Sequence, residues 1–499
     1  MELQFEKSTC PFLRRVVREV QNQEQTLEVK LSDGMPDIGR VLCAWGQVIL
    51  RSKEWRSDSI SVSGGVQTWV LYAPEDGSDA RCVEGWLPFQ IHWPLSGNDR
   101  DGDIRVNCLV RFVDARSVSP RKMMLRAGVA AEAEAYVPDQ AEIFRSTELP
   151  GDIQLLKNRY PVRLMKEAGE KAFAQDEDLL IPPSAPEPAK LMYYTVCPEV
   201  TEGKVAGNRA IFRGTNHLHL LYRSEEGQLH TWDFEIPFAQ YGELTGTYDD
   251  QTELDVRMGV TNLELNLDHE GHMRLKCGLL GQYLVSDLQM LEFIEDTYST
   301  ERDLEPDIVK MSLPVQLDTH PQNIYGEQTI PQDADILVDT VFLPDFPKYR
   351  RRGDHVEWEI PGCFQTLYYS GDGSLQSGTA NWEGVIQTQA DENVQLDGEL
   401  MLKGIPQGIL GNGNITMKME GTFLEKSHCA QSFPMVTGVT VLEAAKNNAQ
   451  KPSLILRRAG GDRLWDIAKE TGSTLDAIRR INRLEGEPEA NQMLLIPVL

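Results

Sequence analysis

The chain has 499 residues, 41% of them hydrophobic and 25% charged, with a formal net charge of -27. That apolar content excludes global disorder, and the acidity excludes a general affinity for nucleic acid or an anionic lipid surface, both of which would repel it. No stretch reaches the ~18 uninterrupted apolar residues of a spanning helix, no signal-peptide run opens the chain, and eight scattered cysteines form no CxxC pair, so a reduced, cytoplasmic protein without a transmembrane segment is expected.

Residues 1–24 form a lead-in in which Leu13, Val16, Val17 and Val20 share one helical face, which predicts a short amphipathic helix or a docking strap. From Gln25 the period changes to two. Leu27-Glu28-Val29-Lys30-Leu31 and Ile60-Ser61-Val62-Ser63 alternate as half-buried strands do, and so does the run from Val106 to Val113. Pro138 to Pro161 reads as a connector containing a helix. Pro182 to Pro188 reads as an extended edge segment inside a domain, although its composition alone suggests a linker. Leu254–Met258 and Leu263–Leu267 alternate again, and Asp287 to Tyr298 reads as helical. Strand patterns return at Val394–Leu402 and Ile415–Met419, and residues 431–452 read as a polar link to the tail.

One phrase recurs along this path. Gln67–Tyr72, His217–Tyr222 and Phe364–Tyr369 each lead into an acid-Gly turn, and Tyr72, Tyr222 and Tyr368 each stand five residues before the turn glycine (Gly77, Gly227, Gly373). A tryptophan follows each turn, at Trp86, Trp232 and Trp382. The glycines Gly128, Gly278 and Gly421 come 51, 51 and 48 residues after the turn glycines, and segments beginning at Leu31, Ile181 and Ile330 precede them at intervals of 150 and 149 residues. Such a period is too long for a solenoid and suits an independent domain. The expected architecture is mainly β: three tandem β-rich, sandwich-like domains at 25–150, 151–299 and 300–430, followed by a small βααβ domain at 453–499.

That last domain reads as strand Ser453–Leu456, a turn at Gly460-Gly461, a helix capped by Asp462, a stop at Gly472, a second helix capped by Thr474, and a closing strand Met493–Pro497. It resembles the LysM module through Gly461-Asp462, Leu464-Trp465-Asp466-Ile467-Ala468, Asn482 and Leu495-Ile496-Pro497. The resemblance implies a groove for N-acetylglucosamine-containing glycans, lined by Gly461, Asp462, Arg463 and Leu464 on one side and Ile481, Asn482, Arg483 and Leu484 on the other. Arg463 stands where the family has a small hydroxyl residue, and Asn491-Gln492 replaces Pro-Gly. The tail is also electrically neutral, with seven basic and seven acidic residues, so the whole negative charge sits on the repeats.

Through Leu31–Leu42, Ser119–Met123, Ile236-Pro237-Phe238 and the domain order, the full chain resembles the SipL-type SPOCS family of spore morphogenesis proteins. The resemblance implies a non-enzymatic adaptor in assembly of the endospore coat and cortex. Its LysM tail would dock onto a SpoIVA-type coat ATPase in the mother cell, at the outer surface of the forespore. The alternative is a peptidoglycan or cortex-glycan binding protein.

Other chemistry is thinner. His217 and His219 share a strand face and, with His230, His269 and His272, could converge on a metal, but surface histidines are the plainer reading. Glu225-Glu226, Asp249-Asp250 and Glu132-x-Glu134 could act as glycosidase pairs, but a chain with 76 acids produces such pairs by composition. No G-x-S-x-G, P-loop or H-E-x-x-H occurs. A cryptic glycan hydrolase therefore has no motif behind it, and no cofactor is expected. The recurring Trp86, Trp232 and Trp382 suit a core role better than a sugar platform.

Overall fold

A computed structural model describes residues 2–3, 5–95, 101–145, 150–268, 271–445 and 452–498. The chain is mainly β, and among the described residues α-helix is found in the C-terminal unit alone. Three sheets are built on long antiparallel ribbons. Glu6–Lys30 pairs with Lys122–Arg145, which also pairs with Asp103–Ser119; Ile153–Leu180 pairs with His272–Ser299, which also takes Glu253–Leu267; Arg302–Pro331 pairs with Asn414–Ala445, which takes Gln395–Leu402 and Gln407–Gly411. A second sheet accompanies each: Ile38–Trp55, Ser59–Pro74 and Arg81–Pro94; Pro188–Ser224 and Leu229–Tyr248; then Ala334–Pro344, Lys348–Arg352, His355–Ser370 and Leu375–Gln389.

The marker tyrosines explain how the two sheets of each pair are joined. The Tyr72 hydroxyl donates to the carbonyl of Pro36 at 2.9 Å, Tyr222 to the carbonyl of Pro186 at 3.0 Å, and Tyr368 to the Gln332 side-chain carbonyl at 2.9 Å. Each tyrosine ties down the crossing segment 36 residues upstream. Pro182–Glu187 is therefore inside the second sheet pair, as a turn closed by Ala185 N–H to Pro182 O at 2.9 Å and not as an extended edge. The turn glycines Gly77, Gly227 and Gly373 take φ of 73°, 87° and 78°, where a Cβ would be strained.

Each ribbon also carries one extra residue at a matching place. The register shifts so that Val16, Lys166 and Leu317 are left unpaired, beside the pairs Arg15↔Tyr136, Met165↔Ser286 and Gln316↔His428. A bulge of this kind bends its strand and reverses the in–out alternation. Beyond the bulges the three ribbons pack on one another, burying Phe12, Leu164, Phe293, Leu313, Phe433 and Met435, with Phe293 and Phe433 stacked at 4.8 Å.

The helical expectations outside the tail do not hold. Residues 6–30 are a strand: Pro11 removes a helix donor, and the bulge at Val16 changes the phase of alternation, giving Leu13, Val16, Val17 and Val20 a helix-like spacing. Asp287 to Tyr298 is also strand, paired without a break from Asp287↔Leu164 to Ile294↔Lys157 before its register shifts. The described residues between Pro138 and Pro161 lie mostly in strands Lys122–Arg145 and Ile153–Leu180, with no helix among them. Residues 431–445, expected as linker, continue strand Asn414–Ala445 against Arg302–Leu313.

Candidate functional site

The C-terminal unit has strand Leu454–Arg458, helices α1 (Leu464–Thr471) and α2 (Leu475–Asn482), and strand Met493–Pro497, which pairs antiparallel with the first. Ala459, Leu464, Ile467, Ala468, Ile478 and Leu494 form its buried core. Thr474 caps α2 by accepting from Ala477 N–H at 3.2 Å, and Gly472 ends α1 at φ 68°. The cap expected of Asp462 is absent. Arg463 is the N-cap residue of α1 without a side-chain cap bond, and Asp462 instead pairs with Arg457 at 2.9 Å.

The eight expected groove residues fall at the start of α1 with the loop before it and at the end of α2 with the loop after it, but their polar groups are largely spent inside the unit. Arg463 forms a bidentate pair with Asp466 at 2.9 and 3.1 Å. Leu464 is buried, and its N–H donates to the Glu487 carboxylate at 2.6 Å, so Glu487 bridges one loop to the other. Asn482 donates to Ile478 O at 2.8 Å and Leu495 O at 2.6 Å and accepts from Leu495 N–H at 2.8 Å, which pins the last strand. Arg483 occupies the left-handed region at φ 56° as the C-cap of α2, and Leu484 N–H bonds Arg479 O at 3.0 Å. Leu484 packs against the core. Gly461 (φ 99°), Ile481 and Arg483 remain exposed.

Sequence reasoning missed where this unit sits. Trp465 belongs to its core and also reaches out of it, donating from Nε1 to Asp296 at 2.8 Å; Lys469 binds both oxygens of the same carboxylate at 2.8 Å. Tyr298 meets the Trp465 ring edge-on at 4.8 Å and donates to Ser473 O at 2.8 Å. Asp296 and Tyr298 stand at the end of the ribbon that begins at His272↔Leu180, so the C-terminal unit is mounted on a ribbon tip.

A second polar centre lies beside the bulges, where all three ribbons meet. Arg105 bonds Asp255 at 2.8 Å and Glu134 at 3.4 Å; Arg257 reaches Glu399 at 3.1 Å, Glu132 at 3.2 Å and Glu134 at 3.3 Å; Lys426 reaches Asp255 at 2.6 Å. Asp397 takes Arg15, Arg18 and, at 2.9 Å, His428. The residues hold matching register positions: Arg105↔Glu134, Asp255↔Leu284 and Asp397↔Lys426. Burial works against ionisation of Glu134, but Arg257, Arg105, Arg18 and Arg15 more than offset it and hold the carboxyl far below its ordinary range. Glu132 and Glu134 are therefore both buried and ion-paired, and Glu134 lacks the proton a general acid needs. The signal was available in their setting, two acids alternating with alanines on an otherwise buried strand.

The histidines go separate ways. His217 pairs with Glu199 at 3.1 Å, and His219 lies between Asp233 at 2.5 Å and Asp339 at 3.0 Å. Burial opposes the charge of His219, yet the two carboxylates raise its pKa to about 10. Both rings are buried, against the expectation of surface histidines. His230 lies against Tyr222, His272 is exposed near Asp268, and His269 lies outside the described residues. Of the marker tryptophans only Trp382 is core; Trp232 is half-buried, and Trp86 is 38% exposed beneath the Arg51 guanidinium.

The fold thus defines a mainly β, multi-sheet protein with a small αβ unit at a ribbon tip. The family model described as SipL, SPOCS domain matches residues 189–268, which fall within the second sheet pair. No curated protein and no solved structure matches the chain. The C-terminal unit lies outside the matched residues.

Proposed function

We propose that the chain is a non-enzymatic assembly adaptor of the endospore envelope, made of three copies of one SPOCS-like domain and a LysM-like C-terminal unit that docks onto a SpoIVA-type coat ATPase in the mother cell. The SPOCS match supports a sporulation-related function. The three tyrosine ties and the three matching bulges support the triplication.

The observation that carries docking on protein over sugar is the state of the groove. A glycan is held by a few placed polar groups, and here Asp462, Arg463, Leu464 N–H and Asn482 are already bonded to Arg457, Asp466, Glu487 and Leu495. Arg480, Ile481 and Arg483 stay exposed on the end of α2, and a guanidinium–aliphatic face of this kind suits a protein surface.

The test is a paired titration of the full chain with a SpoIVA-type ATPase and with a peptidoglycan tetrasaccharide, repeated with Arg480→Glu/Arg483→Glu. Binding to the protein alone, weakened at least tenfold by the double substitution, is the expected result. Binding to the sugar alone replaces this reading with the glycan one.

A further inference from the structure

The three bulges leave a cavity of about 470 Å³ between the ribbons. Its wall is drawn from the same register positions of each ribbon: Arg15, Glu134 and Tyr136 from the first, Met165, Leu284 and Ser286 from the second, Gln316, Lys426 and His428 from the third. Bulges re-aim side chains and recur beside binding sites, and here all three strands bend at one level.

The cavity is unfinished in a specific way. Arg105 and Arg257, 2% and 6% exposed, both line it, and Arg105 Nε and Arg257 Nη1 have no hydrogen-bond partner; Arg257 Nη1 is close to Glu132 and Glu134 but out of alignment with them. His428 Nδ1 is likewise unpartnered, while its Nε2 faces Asp397. Burial, with Arg15 and Lys426 nearby, pushes His428 down to about 3, so the ring is neutral and its Nδ1 is an acceptor when Nε2 carries the proton to Asp397. Unmet donors and acceptors at such depth are rare in native proteins and costly. Arg257 Nη1 already faces two carboxylates, so one guanidinium donor, Arg105 Nε, asks for an acceptor oxygen, and one imidazole nitrogen asks for a donor.

Charge and shape narrow the ligand. The lining holds five cations (Arg15, Arg105, Lys204, Arg257, Lys426) and five carboxylates (Glu134, Asp250, Glu253, Asp255, Asp397), so a ligand with net charge would be buried without compensation. Met165, Leu284, Val205 and Leu254 give one apolar side, against which water gains nothing. Lys204, Asp250 and Glu253 are exposed at the rim and leave a way in. We propose that this cavity binds a small zwitterion with an apolar side chain, its carboxylate on the Arg105 Nε hydrogen, its ammonium toward His428 Nδ1, and its side chain against Met165 and Leu284. A free aliphatic α-amino acid is the simplest member of that class.

The test is calorimetric titration of the full chain with L-leucine, with isovalerate and isopentylamine as its singly charged halves. Saturable binding of L-leucine is expected, each half binding at least tenfold more weakly. Met165→Trp, which fills the apolar side without touching the ion pairs, should weaken L-leucine at least tenfold; should that variant not fold, Ser286→Leu fills the same space. Absence of saturable heat at millimolar L-leucine, equal binding of isovalerate, or binding that the folded filling variant leaves intact would each overturn the assignment.

Discussion

The Trp465 indole N–H donates to the Asp296 carboxylate at 2.8 Å, across 169 residues of sequence. Lys469 holds the same carboxylate, and the Tyr298 ring and hydroxyl complete the seat. Asp296→Ala should release the C-terminal unit without unfolding the sheets, since hydrogen bonds to a charged group contribute about 1.5–3 kcal/mol and Lys469 is too exposed to add much. Hydrogen exchange should quicken in α1 and in residues 294–300 and stay unchanged in the ribbon core around Phe293 and Phe433. Uniform exchange throughout would contradict this seat.

Asn482→Ala removes three side-chain hydrogen bonds, two of which join α2 to the last strand, and leaves the Leu495 amide and carbonyl without those partners. A loss of about 2 kcal/mol or more from the C-terminal unit is expected. It is read from the local transition of Trp465 fluorescence in urea. Arg463→Ala, which breaks only an exposed pair with Asp466, should change that transition by less than about 0.5 kcal/mol.

His219 joins the strand of Asp233 to that of Asp339. Its folded pKa, raised to about 10, exceeds the unfolded value of about 6.5, so its contribution is fully present below pH 6.5 and is lost as pH rises toward 10. The melting temperature should fall across that window. His219→Gln should be less stable at pH 6 and show a flatter fall between pH 6.5 and 10, as recorded by calorimetry. An unchanged slope would remove His219 from the account.

The buried Arg105 pairs with the part-buried Asp255 at matching positions of two ribbons. Breaking one partner of such a pair costs about 3–5 kcal/mol. Arg105→Asp should therefore be strongly destabilising, and Arg105→Asp/Asp255→Arg should recover part of the loss. A double-mutant cycle with no coupling would show that the two charges do not act as a pair.

The sheets were legible where alternation was clean, as in Leu27–Leu31 and Leu263–Leu267, and the recurring tyrosines marked the acid-Gly turns five residues on; their ties to the crossing segments 36 residues upstream were not legible, and Pro182 to Pro188 read as an edge. The ribbon ends were not. A bulge adds one residue, and Leu13, Val16, Val17 and Val20 then carry a helical spacing on a strand, whereas Leu288, Leu291 and Ile294 lie in one unbroken stretch of register where Leu288 is simply exposed. The tail's element order was readable because Gly472, Thr474 and the closing Leu495-Ile496-Pro497 act locally. Its bonding pattern was not, because Glu487 reaches Leu464 N–H and Asp296 reaches Trp465 over distances in sequence that no local pattern encodes.

The ribbon from His272 to Ser299 pairs along its whole length, and its tip holds the C-terminal unit. At about 3.3 Å per residue, a straight ladder of that length would span roughly 90 Å, less what the two register shifts take back by bending. The molecule is thus a ruler. The C-terminal unit is set at a fixed reach from the turns at Gly77, Gly227 and Gly373, and inserting two facing residue pairs would lengthen that reach by about 7 Å while leaving both ends chemically as they were.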